Sequence, residues 1–242
     1  MNDLALDASP LDPTDDLDPA VLPIADRARS LRLALAIQLP VLALRACAVW
    51  WARGVLDAYA HGGRIYPVLE AEGTWRWVQL LALSSLAVTA WLFVSWTRSL
   101  YEAAPALGLS GLRHAPSSAW SFFAPVASLW VPYQMISAFH DASSPDGLAP
   151  RPGVAPSPPA PRAPVAAWWS LWVGSGVVSL LGHLLASGLR TALPRSPAAE
   201  LASLAMLAGA ALLAMRVVAV VTARAVERSR RVASPPPPMT FA

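Results

Sequence analysis

The side chains in this sequence whose types could carry chemistry are few and scattered. His61, His114, His140 and His183 stand alone, Cys47 is the single cysteine, and Arg45 is an arginine inside an apolar run. Histidine suits acid–base work or metal ligation, yet no other histidine, aspartate or glutamate follows at a ligand or relay spacing. The patterns His-Glu-x-x-His, Gly-x-x-x-x-Gly-Lys and Gly-x-Ser-x-Gly are absent. One cysteine excludes an internal disulfide and any multi-cysteine metal cluster. It lies among apolar residues and reads as a small buried hydrophobe. The expectation is therefore a protein that is not an enzyme, with no catalytic, cofactor-binding or metal-ligating residues.

Arg45 and His183 remain, because an ionisable group inside an apolar run marks function by default. His183 sits about one turn from the end of its run and can stay neutral while bonding a neighbouring helix. Arg45 is more costly, at least ~2.5–3.5 kcal/mol at mid-bilayer. It stands six residues before Trp51, roughly 9 Å by helical rise, so its guanidinium can snorkel. No carboxylate is expected inside a span to pair with it, which argues against a proton relay.

The elements that must position these groups are apolar helices. Of 242 residues, 55% are hydrophobic and 14% charged, against about 25% charged in a soluble domain. Too few charges remain to cover a water-facing exterior. Every one of the 18 basic residues is arginine, a bias that suits a GC-rich genome. They flank apolar runs instead of forming a nucleic-acid patch.

Four runs, about 31–51, 75–96, 166–187 and 199–220, are each long enough to cross ~30 Å of hydrocarbon. Tryptophans mark their ends: Trp50 and Trp51, then Trp75, Trp77 and Trp96, then Trp168, Trp169 and Trp172, positions where indoles prefer the interface. The stretch 119–140 is broken by Pro125 and Pro132 and diluted by Ser121, Ser128, Gln134 and Ser137. It reads as a fifth span, a re-entrant segment or a broken interfacial helix. Charge bias favours four spans with both termini cytoplasmic, since five spans strand an arginine cluster at one end or the other outside. Residues 1–29, with seven aspartates and four prolines, read as a disordered acidic tail. Residues 145–164 form a Pro-rich linker, and 233–242 a second disordered tail. The fold class is thus all-α: an integral membrane bundle of about four spans plus one Pro-broken segment, occupying 30–232.

Small residues share helix faces at Ser175, Ser179, Gly182 and Ala186, and at Ala202, Ala205 and Gly209. Such faces let helices approach closely, in the bundle or against a second copy or protein partner. Arg224, Arg228 and Arg231 continue at near-helical spacing, with Glu227 placed to pair with Arg224 or Arg231. They read as a basic face against anionic headgroups.

From Trp96 to Pro145 the order of residues resembles an uncharacterised bacterial membrane family, domain of unknown function 4328. The likeness runs through Trp96, Arg98 and Tyr101, then Ala106-Leu107-Gly108 and Gly111-Leu112-Arg113. It continues with Pro116, Trp120, Phe123 and Pro125, then Leu129-Trp130-Val131-Pro132-Tyr133, and closes on Ala142-Ser143. Trp168-Trp169 and Arg216-Val217-Val218 extend it over about 75–231. Ala103, Ser128, Ala138 and His140 depart from the family pattern. The resemblance implies residence in a bacterial plasma membrane and a shared architecture. Its candidate site residues are Arg98, Tyr101, Gly108, Arg113, Pro125, Pro132 and Tyr133. It implies no reaction and no cofactor.

Two functional classes follow: a non-enzymatic bundle that packs helices or recruits a partner, and a small-molecule or ion transporter using the broken segment. The lipid bilayer is the expected partner, with no nucleic acid.

Overall fold

A computed structural model describes residues 19, 21–124, 127–143, 163–185 and 196–233. Among these, every regular element is helical: α1 (Leu22–Ala60), α2 (Tyr66–Ala103), 3₁₀ segments at Pro116–Phe123 and Ala127–Leu129, α3 (Val131–Ala142), α4 (Ala163–Leu185) and α5 (Pro197–Ala233). Four of them, α1, α2, α4 and α5, are long and apolar enough to cross a membrane. The chain is a multi-pass membrane protein. At most 39% of any span's most apolar window is buried by protein, so lipid has to cover the remainder.

The helices outrun the apolar runs at both ends. Residues 22–29, expected in the acidic tail, instead form the first two turns of α1. Pro23 causes no break there because it stands in the first turn, where its missing N–H would lack a partner anyway. Val21, Ile24 and Ala28 are buried in the main core, which repays ordering those turns. Residues 1–18 and 20, the linker 145–162, the last two residues of the 166–187 run and the C-terminal residues 234–242 lie outside the described residues.

Side-chain pairs set the topology. Arg45 lies over Trp75, Gln38 meets Ser85, and Arg27 meets the Ser95 carbonyl, so α1 and α2 run antiparallel. Ser175 meets Ser203 and Ser179 meets Glu200, so α4 and α5 do too. The hairpin between α1 and α2 and the start of α5 share one end of the bundle, here the hairpin end. Leu22, Ala103 and Ala233 share the other, the terminal end. Lateral packing follows the order α2, α1, α5, α4. One core cluster fills the terminal half and a smaller one, around Leu42, Val49, Trp75, Val78 and Leu204, fills the hairpin half.

The 119–140 stretch does not cross. α3 has 12 residues, about 18 Å of helix, against the ~30 Å needed. It lies at the terminal end beside Tyr101, Arg224 and Arg228. The first 3₁₀ segment sits slightly deeper, where Phe122 meets Phe93 and Trp120 meets Trp91.

Several tryptophans expected as interfacial anchors are core residues instead. Trp50, Trp51 and Trp77 are exposed, but Trp75, Trp96, Trp168 and Trp169 are buried. Burial is tolerable because indole N–H groups find acceptors inside: Trp96 donates to Thr222 at 3.2 Å and Trp169 to the Leu129 carbonyl at 2.8 Å.

In its described part, the small-residue face of α4 packs against α5; Ala186 lies outside the described residues. A Cβ on Gly182 would stand 2.5 Å from the Ala199 Cβ, whereas one on Gly176 would meet nothing. Gly182→Ala is expected to cost about 1–3 kcal/mol, the usual penalty for overpacking, and Gly176→Ala to stay within about 0.5 kcal/mol. Reversible unfolding in mixed micelles measures both; equal effects would refute the close α4–α5 approach.

Candidate functional site

Two polar constellations stand out, one at each end. Near the hairpin end, Arg45 of α1 forms an ion pair with Glu200 of α5. Glu200 has only 4% of its side chain exposed and Arg45 19%. α5 begins just before, with Pro197 as its first residue and Glu200 in its first turn, where a carboxylate complements the helix dipole. Around the pair, the Ser179 hydroxyl lies 3.5 Å from the second Glu200 oxygen, and the guanidinium carbon sits 5.8 Å over the Trp75 ring. The Arg45 Nε is buried with no hydrogen-bond partner.

This overturns the expectation that no carboxylate lies in a span to partner Arg45. Glu200 is the second residue of the 199–220 run, so the signal was present. Its partner, 155 residues away, was not readable. Deeper in the bundle, Gln38 accepts hydrogen bonds from Ser85 at 2.7 Å and Thr89 at 3.4 Å, and Ser203 donates to the Ser175 carbonyl at 2.9 Å. His183 takes no part. It is exposed, with its ring nitrogen 2.9 Å from the Ser179 carbonyl of its own helix.

The terminal end holds most of the residues that the family resemblance singles out. After α2, the chain makes a turn in which Leu109 N–H donates to the Ala104 carbonyl and Gly108 N–H to the Pro105 carbonyl. This is the Schellman arrangement, and it needs a positive φ at the residue that Gly108 occupies, +63° here. Gly111, at +81°, makes the next reversal. The Leu107 and Gly108 carbonyls are left pointing outward from the turn.

Arg228 of α5 takes both. Its Nε donates to Leu107 O at 2.7 Å, Nη2 to Gly108 O at 3.4 Å, and Nη1 to Ala142 O, at the C-terminus of α3, at 3.0 Å. Arg224 donates to His140 O at 3.3 Å. Cations at the negative end of α3 are electrostatically matched, and the planar fork of one guanidinium reaches three acceptors. Tyr101 adds a hydroxyl bond to Met135 O at 2.9 Å. The described residues of 104–143, within the 96–145 stretch where the resemblance is densest, thus hang from α2 and α5.

The reading of Arg228 as part of a headgroup-facing basic surface is therefore corrected: it is 6% exposed and turned inward. Glu227 pairs with Arg231, not Arg224. Of the other candidates, Arg98 pairs with Glu102 on the surface at 2.6 Å and Arg113 is exposed. Pro132 is buried in the first turn of α3 and Tyr133 packs half-buried against the core. Pro125 lies outside the described residues. The signal that could have found Arg228 is its i+4 placement after Arg224, but that spacing equally describes a solvated face.

Among the described residues, no three histidine, cysteine, aspartate or glutamate side chains come together in a metal-binding group. A family model described as a domain of unknown function (DUF4328) matches residues 68–231. No curated protein and no solved structure gives a significant match.

Proposed function

Because the chain belongs to the DUF4328 family, whose description carries no reaction, we propose that it acts as a non-enzymatic membrane bundle presenting a rigid platform to a partner. The observation that carries this reading is the suspension of residues 104–143 from Arg228 and Tyr101. Irregular backbone at the end of a bundle is normally mobile; here a buried guanidinium and a buried hydroxyl hold it in one pose. The platform exposes Arg113, Trp130 and Gln134, with the Pro-rich linker following. The terminal end faces the cytoplasm of a bacterial cell in this proposal, because Arg27, Arg29, Arg32, Arg98, Arg113, Arg224, Arg230 and Arg231 gather there. Arg53, Arg64 and Arg76 mark the other end.

Transport is the second reading, and one observation favours it: Glu200 is a buried carboxylate within a span, beside Arg45 and Ser179. Cysteine accessibility separates the two. With Cys47 first replaced by Ala, Ser117→Cys and Gln134→Cys in sealed vesicles should label with an impermeant maleimide from one side only. Labelling from opposite sides would overturn the platform, and labelling blocked by a small-molecule substrate would favour transport.

A further inference from the structure

We propose that the cleft between α2 and α4 is a binding site for one phospholipid acyl chain. The inference rests on the membrane assignment and stands apart from partner recruitment. α4 packs along α5, and α2 along α1, while α2 and α4 meet at the stacked Phe93 and Trp168, 5.2 Å apart, and are not packed along their length. The space between them is a cavity of about 190 Å³ with walls from α1, α2, α4 and α5 and Phe122 and Phe123 at its terminal end. Its α1 wall spans Leu35 to Leu42, its α2 wall Leu86 to Phe93 and its α5 wall Leu207 to Ala214, all within the apolar runs. The cleft therefore lies at hydrocarbon depth.

Three features name the occupant. The lining is overwhelmingly apolar, and the oxygen of Gln38, its most polar group, already accepts from Ser85 and Thr89. Water would find too few partners to stay. At about 190 Å³ the cavity is smaller than the ~300–1,000 Å³ of pockets that enclose a drug-sized molecule, so it admits a segment of one narrow chain whose remainder stays in the leaflet. Leu86 and Phe123 at its rim are 40% and 53% exposed. The mouth is thus continuous with the lipid-covered surface of α2, where Leu83 is 61% exposed. A chain enters sideways from the leaflet, and the stacked Trp169 and Trp172, 4.9 Å apart, give it a rigid wall.

The test uses the full chain in phosphatidylcholine vesicles containing a lipid with a diazirine in its acyl chain, followed by irradiation and peptide mapping. Adducts are expected on the inward cleft residues Ala90 and Ala210 as well as on outward Leu83. Leu86→Trp, which fills the mouth from an exposed position, should abolish the cleft adducts and spare those on Leu83. Labelling of Leu83 with none in the unsubstituted cleft would overturn the proposal, showing it closed or filled by this chain or a second copy. So would cleft adducts that persist in a folded Leu86→Trp variant.

Discussion

Glu200→Leu is expected to destabilise the reconstituted bundle by about 3–5 kcal/mol, the usual result of removing one member of a buried ion pair. The loss is mostly the cost of what stays behind. The Arg45 guanidinium, 19% exposed, would be left among apolar helices with the Trp75 ring 5.8 Å away. Arg45→Leu should cost less, because the Glu200 carboxyl left behind keeps the Ser179 hydroxyl and the N-terminal turn of α5. Arg45→Leu combined with Glu200→Leu should recover much of the loss, since apolar replacement of a whole buried pair is often neutral. Reversible unfolding of the four proteins in mixed micelles gives the coupling energy. Additive single-site effects, with no coupling, would show that the two side chains do not meet.

Arg228→Leu should produce the second largest effect, about 3 kcal/mol or more, because it strips hydrogen bonds to a charged donor from three carbonyls at once. The location of the damage is more telling than its size. Amide exchange should accelerate across 104–111 and 131–143 while the cores of α1, α2 and α5 keep their protection. Arg228→Lys should behave much like the leucine variant, as an ammonium is a point donor without the fork that spans Leu107, Gly108 and Ala142. Unchanged exchange in those two stretches would refute the clamp.

The four spans could be read from composition because lipid solvation demands long uninterrupted apolar runs, and nothing else in the chain satisfies that demand. Their ends could not. Leu22–Arg29 looked like more of the acidic, proline-broken tail, and only the tertiary contacts of Val21, Ile24 and Ala28 make it helix. Trp96 and Trp169 were assigned to the interface by a preference that holds only when the indole N–H needs water. Thr222 and Leu129 remove that need. The glycines of the resembling segment were legible as markers, and the positive φ of Gly108 explains why such a position holds glycine. Arg45 was recognised as expensive, but Glu200 was passed over at the start of its run. Arg228 was hidden among arginines of the same spacing that do face outward. Pairings across more than a hundred residues depend on how helices are laid side by side, and single-chain periodicity carries no such information.

α5 has a consequence for how the protein is made. It leaves the ribosome after α1 to α4, yet it carries Glu200 for Arg45 and Arg228 for the 104–143 layer. Until it arrives, the first helix must reside in the bilayer with an uncompensated cation, and the turn after the second has its carbonyls open to water. At roughly 5–20 residues per second of translation, that immature state lasts on the order of ten seconds or more. Insertion is therefore a two-stage event, with threading first and locking only when α5 docks.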